Sequence, residues 1–264
     1  MPQLLTDRFA VTTGTVAAPC VVASRTYCAG SWKGIQEHLD YISNLGFDAV
    51  WISPVVANVE RTSAYGQAYH GYWAEDITKL NSHFGTPYDL KQLIQAIHSA
   101  GMYVMLDVVA NQSVVPSSRS FHLSTYKLQV SQSSHLTDSS ISHTFSSSTN
   151  FHRKCFILRS DYSDNQTAVE QCWLGDDKLP LVDLDTENPA IVKTMQNWIK
   201  NLVTTYDIDG IRIDTVKHVR KDFWPAFASA AGVYTLGEVL KFIYTRRQRL
   251  IMNSIRFLME ASIM

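Results

Sequence analysis

The stretch that most constrains the fold is residues 209–218, with the sequence DGIRIDTVKH. At the two-residue period of a β-strand, Ile211 and Ile213 point to one side, while Arg212 and Asp214 point to the other. Isoleucines on one face suit packing against helices, and a charged pair on the other suits the axis of a parallel barrel near its C-terminal rim. A lone Arg–Asp pair more often ties down a surface turn, so this interpretation depends on the rest of the chain.

Two further stretches have the composition of short buried strands that end in polar residues. One (YTLGE) ends in Glu238, and the other (YVMLDVVAN) contains Asp107 and ends in Asn111. A βα unit takes roughly 30 residues, so Asp214 and Glu238 are predicted to end neighbouring strands, which lie about 4.8 Å apart. That spacing is close to the separation of about 5–5.5 Å between the two carboxyl groups of a retaining glycosidase.

These stretches resemble the α-amylase family of glycoside hydrolases. Residues 107–111, 210–218 and 237–240 are similar to the first three of the family's four signature regions, in the same order, and no counterpart of the fourth is found. Residues 4–240 resemble the secreted fungal α-amylases in particular. The resemblance implies an α/β fold, a TIM-type (β/α) barrel with about five of its eight units, and an inserted irregular or β-rich subdomain after the third strand. We therefore expect the N-terminal portion of such an enzyme.

The resemblance also implies roles for the polar residues at the barrel rim. Asp214 would be the nucleophile, Glu238 the general acid and base, and Arg212 would keep Asp214 ionised through its opposite charge. Aromatic faces stack on sugar rings, so an aromatic loop at residues 65–73 is expected to bind substrate. The expected substrate-binding residues are Arg212, His70, Tyr72, Trp73, Gln112, Lys217 and His218.

A structural calcium ion is implied where the insertion meets the barrel. Ca²⁺ takes several oxygen ligands, and backbone carbonyls supply some of them. The matching residues are Asn111, Glu170, Asp183 and His218, the last through its carbonyl oxygen. We therefore expect Ca²⁺ to be the cofactor.

The order of these stretches predicts four parts of the chain. Residues 1–111 begin the barrel, residues 112–183 form the inserted calcium-associated subdomain, residues 184–240 continue the barrel, and residues 241–264 form an atypical tail. The insertion is far longer than the few residues of an ordinary βα loop.

Apolar periodicity predicts the main helices of the barrel. These helices are at residues 32–45, 88–100 and 188–205, with a short one around residues 222–231, and a first strand is predicted at residues 4–9. The tail is basic, apolar and rich in methionine, and it does not resemble the family. It is interpreted either as a helix or as a segment read in a shifted frame. A helical tail would carry Leu250, Ile251, Ile255, Leu258 and Met259.

Four cysteines fall in two close pairs, Cys20 with Cys28 and Cys155 with Cys172. Spacing alone allows either two local disulfides or four buried thiols. The resemblance implies the disulfides and a secreted protein, because fungal α-amylases pair cysteines at matching places. No signal segment precedes Leu4 in this sequence.

Two tripeptides match the acceptor pattern for N-glycosylation. They are NQT at Asn165 and NQS at Asn111. Use of the second is not expected if Asn111 binds a metal ion.

Charge and hydropathy narrow the class of partner. The net charge is −1, with both signs interspersed, which argues against nucleic acid or an anionic membrane. No apolar run is long enough to span a bilayer. A neutral α-glucan such as starch, glycogen or a maltooligosaccharide needs no electrostatic steering, and we expect a monomer that binds one.

The resemblance implies endo-acting hydrolysis of α-1,4-glucosidic bonds with retention. Gln112 stands where the family has a histidine, and we expect weaker transition-state binding by roughly 1–3 kcal/mol for the lost charge-assisted hydrogen bond. Strands six to eight and the family's third carboxylate are not recognisable, so we expect this chain to be inactive or weakly active.

Three alternatives remain open from sequence. One is a non-catalytic α-glucan-binding remnant, and another is an α-glucan transferase, since transferases share the three matched regions. The third is a barrel lyase or aldolase that uses Lys217 as a Schiff base, which ranks last because it explains neither carboxylate.

Overall fold

A sheet of five parallel strands carries the barrel part of the chain. The structure is a computed structural model that describes residues 1–17, 19–114, 145, 147–242 and 252–258. The strands are β1 (Gln3–Leu4), β2 (Ala49–Ile52), β3 (Val56–Asn58), β4 (Ala74–Leu80), β5 (Tyr103–Val109), β6 (Gln112–Ser113), β7 (Leu174–Asp176), β8 (Leu179–Asp183), β9 (Gly210–Asp214), β10 (Tyr234–Phe242) and β11 (Met252–Leu258). The helices are α1 (Thr6–Phe9), α2 (Trp32–Glu37), α3 (Leu39–Asn44), α4 (Pro87–Ser99), α5 (Asp161–Asp164), α6 (Gln166–Gln171), α7 (Pro189–Tyr206) and α8 (Trp224–Ala231), with 3₁₀ turns at Val22–Ser24, Ser148–Asn150, Val216–His218 and Lys221–Phe223.

The main sheet has the order β1-β2-β5-β9-β10-β11. Its first five strands are parallel, and helices lie in the connections between them. Sequential parallel neighbours joined by helical crossovers are the arrangement of a (β/α) barrel. The expected partial TIM-type barrel, with five parallel strands described, is confirmed.

The helix expected at residues 88–100 is present as α4. Thr86 caps its N-terminus by accepting the amide of Asp89, whose carboxylate accepts the amide of Thr86 in return. Pro87 occupies the first turn, where its missing N–H costs nothing. The inner stripe is buried and consists of Leu90, Leu93, Ile94 and Ile97.

The helix expected at residues 188–205 is present as α7. Asn188 caps it by accepting the amide of Ala190, and the helix ends at Asp207 in a left-handed conformation with φ of 56°. Its buried face reaches across to β4, where the Trp198 indole N–H donates to the Ile77 carbonyl at 2.7 Å. None of the helices in the described ranges is long and apolar enough to cross a membrane.

The single helix expected at residues 32–45 is wrong in one respect, because it is two helices, α2 and α3, that meet at His38. His38 has φ −120° and ψ 20°, its amide donates to Ile35, and its ring Nδ1 contacts the Gly34 carbonyl at 2.9 Å. The ring thus takes up a carbonyl that a continuous helix would use. Leu45, the last residue of the expected helix, is 56% exposed.

The first strand is also shorter than expected, because residues 6–9 form α1. The Thr6 amide donates to the Ser53 hydroxyl at 3.1 Å, and that hydroxyl donates to the Thr6 side-chain oxygen at 2.9 Å. These bonds hold the chain in a turn at the end of β1, with both residues buried.

The insertion contains a small antiparallel sheet in the order β6-β8-β7. In it, Gln112 is paired with Asp183. The same region holds one of the two expected disulfides, Cys155–Cys172, while Cys20–Cys28 closes a loop before α2. Both predicted cysteine pairs are therefore bonded.

The tail forms a strand where a helix was one expectation. β11 pairs antiparallel with β10, from Leu236 opposite Leu258 to Phe242 opposite Met252. The free edge of β10 offers backbone donors and acceptors that an extended segment satisfies. Leu250, Ile251 and Met259 lie outside the described residues.

We expect Ile94→Ala to lower the free energy of unfolding by about 2–5 kcal/mol, because Ile94 is 1% exposed and its loss leaves a cavity between α4 and the sheet. Urea unfolding at fixed pH measures this. Gln95→Ala on the exposed face of the same helix is the matched control and should change the value by no more than about 0.5 kcal/mol. Equal losses in the two variants would contradict the packing described.

Candidate active site

The register of the parallel strands brings charged side chains from β5 and β9 into one layer. Asp107 of β5 lies opposite Arg212 of β9, and Arg212 lies opposite Leu236 of β10. Two residues further along each strand, Val109 lies opposite Asp214. Residues in register share a face of a parallel sheet, and β5 and β9 end at Val109 and Asp214, so these side chains lie near the C-terminal ends of the strands.

Arg212 is the centre of the cluster. Its NH1 nitrogen donates to both carboxylate oxygens of Asp107, at 2.9 and 3.1 Å, and to Asp214 Oδ1 at 2.6 Å. Its NH2 nitrogen lies 2.8 Å from Glu238 Oε2. The Arg212 side chain is only 8% exposed, so the guanidinium is a buried cation that joins three carboxylates.

Asp107 holds the Arg212 guanidinium in place from the neighbouring strand β5, a role that the sequence did not assign to it. Its Oδ2 accepts hydrogen bonds from the Tyr72 hydroxyl at 2.8 Å and from the Trp51 indole N–H at 3.1 Å. The Arg212 guanidinium carbon also lies 5.3 Å from the centre of the Trp51 ring. The sequence signal available was the matching alternation of β5 and β9, which places the two charges on one face once the strands are paired.

Burial raises the pKa of Asp214 to about 7 and that of Asp107 to about 6, and in both cases Arg212 opposes the shift without cancelling it. Arg212 acts in the expected direction, because its positive charge lowers the pKa of Asp214 against the larger effect of burial. The pKa of Arg212 is raised overall. Burial lowers it, but the carboxylates of Asp107 and Asp214 raise it by more.

Glu238 lies at the same rim as Asp214, on the neighbouring strand. Its Oε2 accepts the amide of Thr215 at 3.3 Å in addition to its contact with Arg212. A side chain on Gly237 would meet Val216 Cγ2 at 2.9 Å, so the missing Cβ lets the turn after β9 approach the end of β10. The two acids that the sequence singled out are thus brought to one guanidinium.

The aromatic loop is joined to the cluster through Tyr72, whose hydroxyl reaches Asp107. His70 packs edge-on against Trp73 with ring centres 4.5 Å apart, and its Nδ1 accepts the Tyr72 amide at 3.0 Å. Burial, assisted by Arg8, lowers the pKa of His70 to about 4. The histidine is therefore neutral at pH 7.

Gln112 lies beside this loop, and its side-chain contacts with the described residues are long. Its Nε2 donates to the Tyr72 carbonyl at 3.4 Å, and its Oε1 accepts from Asn111 Nδ2 at 3.5 Å. The side chain is buried next to the cluster.

Lys217 and His218 face the insertion. Lys217 Nζ donates to the Tyr162 carbonyl at 3.0 Å, and His218 Nε2 lies 2.9 Å from the Tyr162 hydroxyl. Burial lowers the pKa of His218 to about 4. Tyr162, which the sequence did not single out, thus joins the turn after β9 to α5.

The four expected calcium ligands lie on connected elements. Asn111 Oδ1 accepts the Thr215 hydroxyl at 2.7 Å, and the Asn111 carbonyl accepts the Leu184 amide beside Asp183. Glu170 Oε1 and the Lys217 carbonyl, next to His218, both accept from Gln166 Nε2, at 2.6 and 2.9 Å.

The donor chemistry of these residues fits a hard cation. An amide oxygen, two carboxylates and a backbone carbonyl are the ligand types that Ca²⁺ takes. Asp183 is 2% exposed, and burial raises its pKa to about 8, so a cation beside it would stabilise its ionised form. The residues present therefore suit calcium.

A second group of potential ligands was missed from sequence. His152 Nε2 lies 2.7 Å from Glu187 Oε2 and 3.5 Å from Asp185 Oδ1, while its Nδ1 lies 2.7 Å from Asp183 Oδ2. His152, Asp185 and Glu187 each offer one potential ligand atom, and these three atoms lie within 4.8 Å of one another.

Comparison with known proteins gives one consistent result. A profile of the family described as "Alpha amylase, catalytic domain" matches residues 3–250. Alpha-amylase 1 of Lipomyces kononenkoae is 47% identical over 237 residues, which is 90% of this chain and 35% of that protein. The solved α-amylase of Malbranchea cinnamomea superposes with a TM-score of 0.76 at 42% identity, over 90% of this chain and 46% of that one.

A more distant solved relative shows the same coverage. The α-amylase of Geobacillus thermoleovorans, solved in complex with acarbose, is 32% identical with a TM-score of 0.67, over 90% of this chain and 45% of that one. The chain thus spans less than half the length of these relatives.

The raised pKa of Asp214 predicts how an asparagine there changes the pH dependence of stability. When a carboxyl binds its proton more tightly in the folded state, the free energy of unfolding of the protein falls as pH rises from about 4 to about 7. Asparagine has no such proton, so we expect the free energy of unfolding of Asp214→Asn, relative to wild type, to increase between those pH values. Urea unfolding at each pH gives the difference.

Asp164→Asn, at an exposed position of the insertion, is the control, and its difference from wild type gives the background at each pH. A difference for Asp214→Asn that decreases as pH rises would show that the ion pair with Arg212 outweighs burial.

Proposed function

The chain belongs to the α-amylase catalytic-domain family of glycoside hydrolases, and on that basis we propose that it hydrolyses internal α-1,4-glucosidic bonds of starch, glycogen and maltooligosaccharides with retention. The observation that carries the proposal is the contact of one guanidinium, that of Arg212, with both Asp214 and Glu238 at a single barrel rim. Two carboxyl groups on adjacent strands suit the short separation that double displacement requires.

In this mechanism Asp214 attacks the anomeric carbon while Glu238 donates its proton to the leaving glycosidic oxygen. The result is a covalent glycosyl–enzyme ester and a released chain. Glu238, now ionised, accepts a proton from a water molecule that attacks the same carbon, and Asp214 leaves as a carboxylate. Both acids return to their starting protonation states.

Arg212 serves as the group that positions both acids. Its guanidinium is planar, and Asp107 holds it from the side away from the rim, so the directions toward Asp214 and Glu238 are fixed together. A negative charge on Asp214 is favoured by this cation at the moment when substrate excludes water from the rim.

The aromatic loop supplies a surface for the sugar ring. Neutral His70 and the Tyr72 and Trp73 rings offer faces for stacking and polar edges for hydroxyl groups. The contacts of the Gln112 side chain with the described residues are long, and in this proposal its amide meets a sugar hydroxyl but brings no charge. We therefore propose that Gln112 binds the transition state more weakly than a histidine would.

Asn111, Glu170, Asp183 and the His218 carbonyl are proposed to hold a Ca²⁺ ion. The ion would neutralise buried negative charge and tie the insertion to the turn after β9. Two disulfides support an exported protein, and we propose that it acts outside the cell as a monomer.

We expect at most weak release of reducing sugar from soluble starch by the full chain, in line with the missing third carboxylate. Release should be at least about a hundredfold lower for Asp214→Asn and Glu238→Gln, because each removes a group that makes or transfers a bond. Asp164→Asn is the control and should match wild type. Retention on a starch gel, measured for all four proteins, should be similar.

Three outcomes would contradict the proposal. Equal release by wild type and Asp214→Asn would exclude this nucleophile. Retention on starch with no release by any protein would identify a glucan-binding protein. Products longer than a supplied maltooligosaccharide would identify a transferase.

We expect Ca²⁺ to raise the unfolding temperature in a saturable way, with a stabilisation of about 2.7 kcal/mol at a concentration of about 100 times the dissociation constant. Asp183→Asn should lose most of this increase, whereas Asp164→Asn, an exposed acid of the same insertion, should keep it. Thermal melts with and without a chelator measure it. An equal increase in the two variants would place the ion elsewhere.

A further inference from the structure

We propose that Asn165 is a site of N-linked glycosylation and carries an oligosaccharide on its side-chain amide nitrogen. Asn165, Gln166 and Thr167 form the acceptor tripeptide, and all three are exposed, Asn165 between α5 and α6 and the other two in the first turn of α6. The modification is independent of the glucan-cleaving chemistry.

The two ends of the Asn165 amide have different tasks. The oxygen caps α6 by accepting the Ala168 amide at 3.2 Å. The nitrogen makes one long contact, 3.4 Å to Asp161 Oδ1, at an exposed position. A sugar replaces only one of its two hydrogens, so both the cap and the Asp161 contact are compatible with the modified residue.

The surroundings leave room for the first sugar. Asn165 and Thr167 line a surface cavity of about 450 Å³ beside the Cys155–Cys172 disulfide. Its position on the insertion keeps the oligosaccharide on a solvent-facing part of the chain.

The other acceptor tripeptide is a useful contrast, because the fold excludes it. Asn111 is 1% exposed, and its side-chain oxygen accepts the Thr215 hydroxyl beside the acid cluster. The following residues, Gln112 and Ser113, are buried in β6. A saccharide at Asn111 would have to displace the turn after β9, so the folded chain accommodates a glycan at Asn165 alone of the two.

The transfer balances with a lipid pyrophosphate-linked oligosaccharide as donor. Asn165 Nδ2 forms a C–N bond to C1 of the terminal N-acetylglucosamine, and the bond from C1 to the phosphate oxygen breaks. The lipid pyrophosphate leaves with the electron pair, and the amide proton passes to a base of the transferase. Such transfer requires export, which the two disulfides support.

The test is expression of the full chain behind a cleavable secretion leader in yeast, with both the secreted and the cell-retained chain analysed. Peptide-N-glycosidase should increase gel mobility by one step and convert Asn165 to aspartate in the tryptic peptide. Transfer takes place on the nascent chain, so the retained fraction gives the same information if folding is incomplete.

Asn165→Asp is the matched variant, because a carboxylate keeps the cap of α6 and cannot accept the sugar. It should run as the deglycosylated protein with an unchanged unfolding temperature relative to that protein. Thr167→Val should also lose the step, and Thr167→Ser should keep it. No glycosidase-sensitive step in wild type, a step that survives Asn165→Asp, or a glycan found on Asn111 of the secreted, folded chain would each overturn the proposal.

Discussion

The buried guanidinium of Arg212 is the group on which the rest of the site depends. Three carboxylates, those of Asp107, Asp214 and Glu238, each contact this one guanidinium. Carboxylates removed from water are costly unless a cation pairs with them and hydrogen bonds satisfy their oxygens. Because one rigid, planar group contacts all three, it sets their relative positions as well as their net charge.

That arrangement depends on contributions from several barrel elements. Asp107 of β5 is held in place by Trp51 of β2 and by Tyr72 of the loop between β3 and β4. Glu238 is supplied by β10. A shift of one residue in the pairing of β5 with β9 would turn Arg212 or Asp107 toward the helices. The packed core between the sheet and helices α4 and α7 is therefore what keeps the acids together.

Sequence was sufficient where structure depends on local periodicity. The alternation in β9 determines which side chains share a face, the apolar stripes of α4 and α7 determine which face of each helix is buried, and those elements were predicted. It was not sufficient where a distant partner decides. Thr6 turns away from β1 because it bonds Ser53, which is 47 residues away. Lys217 is turned by Tyr162, which is 55 residues away in an insertion with no clear pattern.

The turn after β9 shows why the insertion matters for the acids. Thr215 adopts a left-handed conformation with φ of 51°, which costs about 1–3 kcal/mol for a residue other than glycine and persists only when its surroundings determine it. Its amide donates to Glu238, its hydroxyl donates to Asn111, and its carbonyl lies 3.3 Å from the ring of His218. His218 in turn contacts Tyr162 of the insertion. The conformation of the residue directly after Asp214 is therefore fixed from both the barrel and the insertion, so displacement of the insertion would alter the rim where the two acids meet.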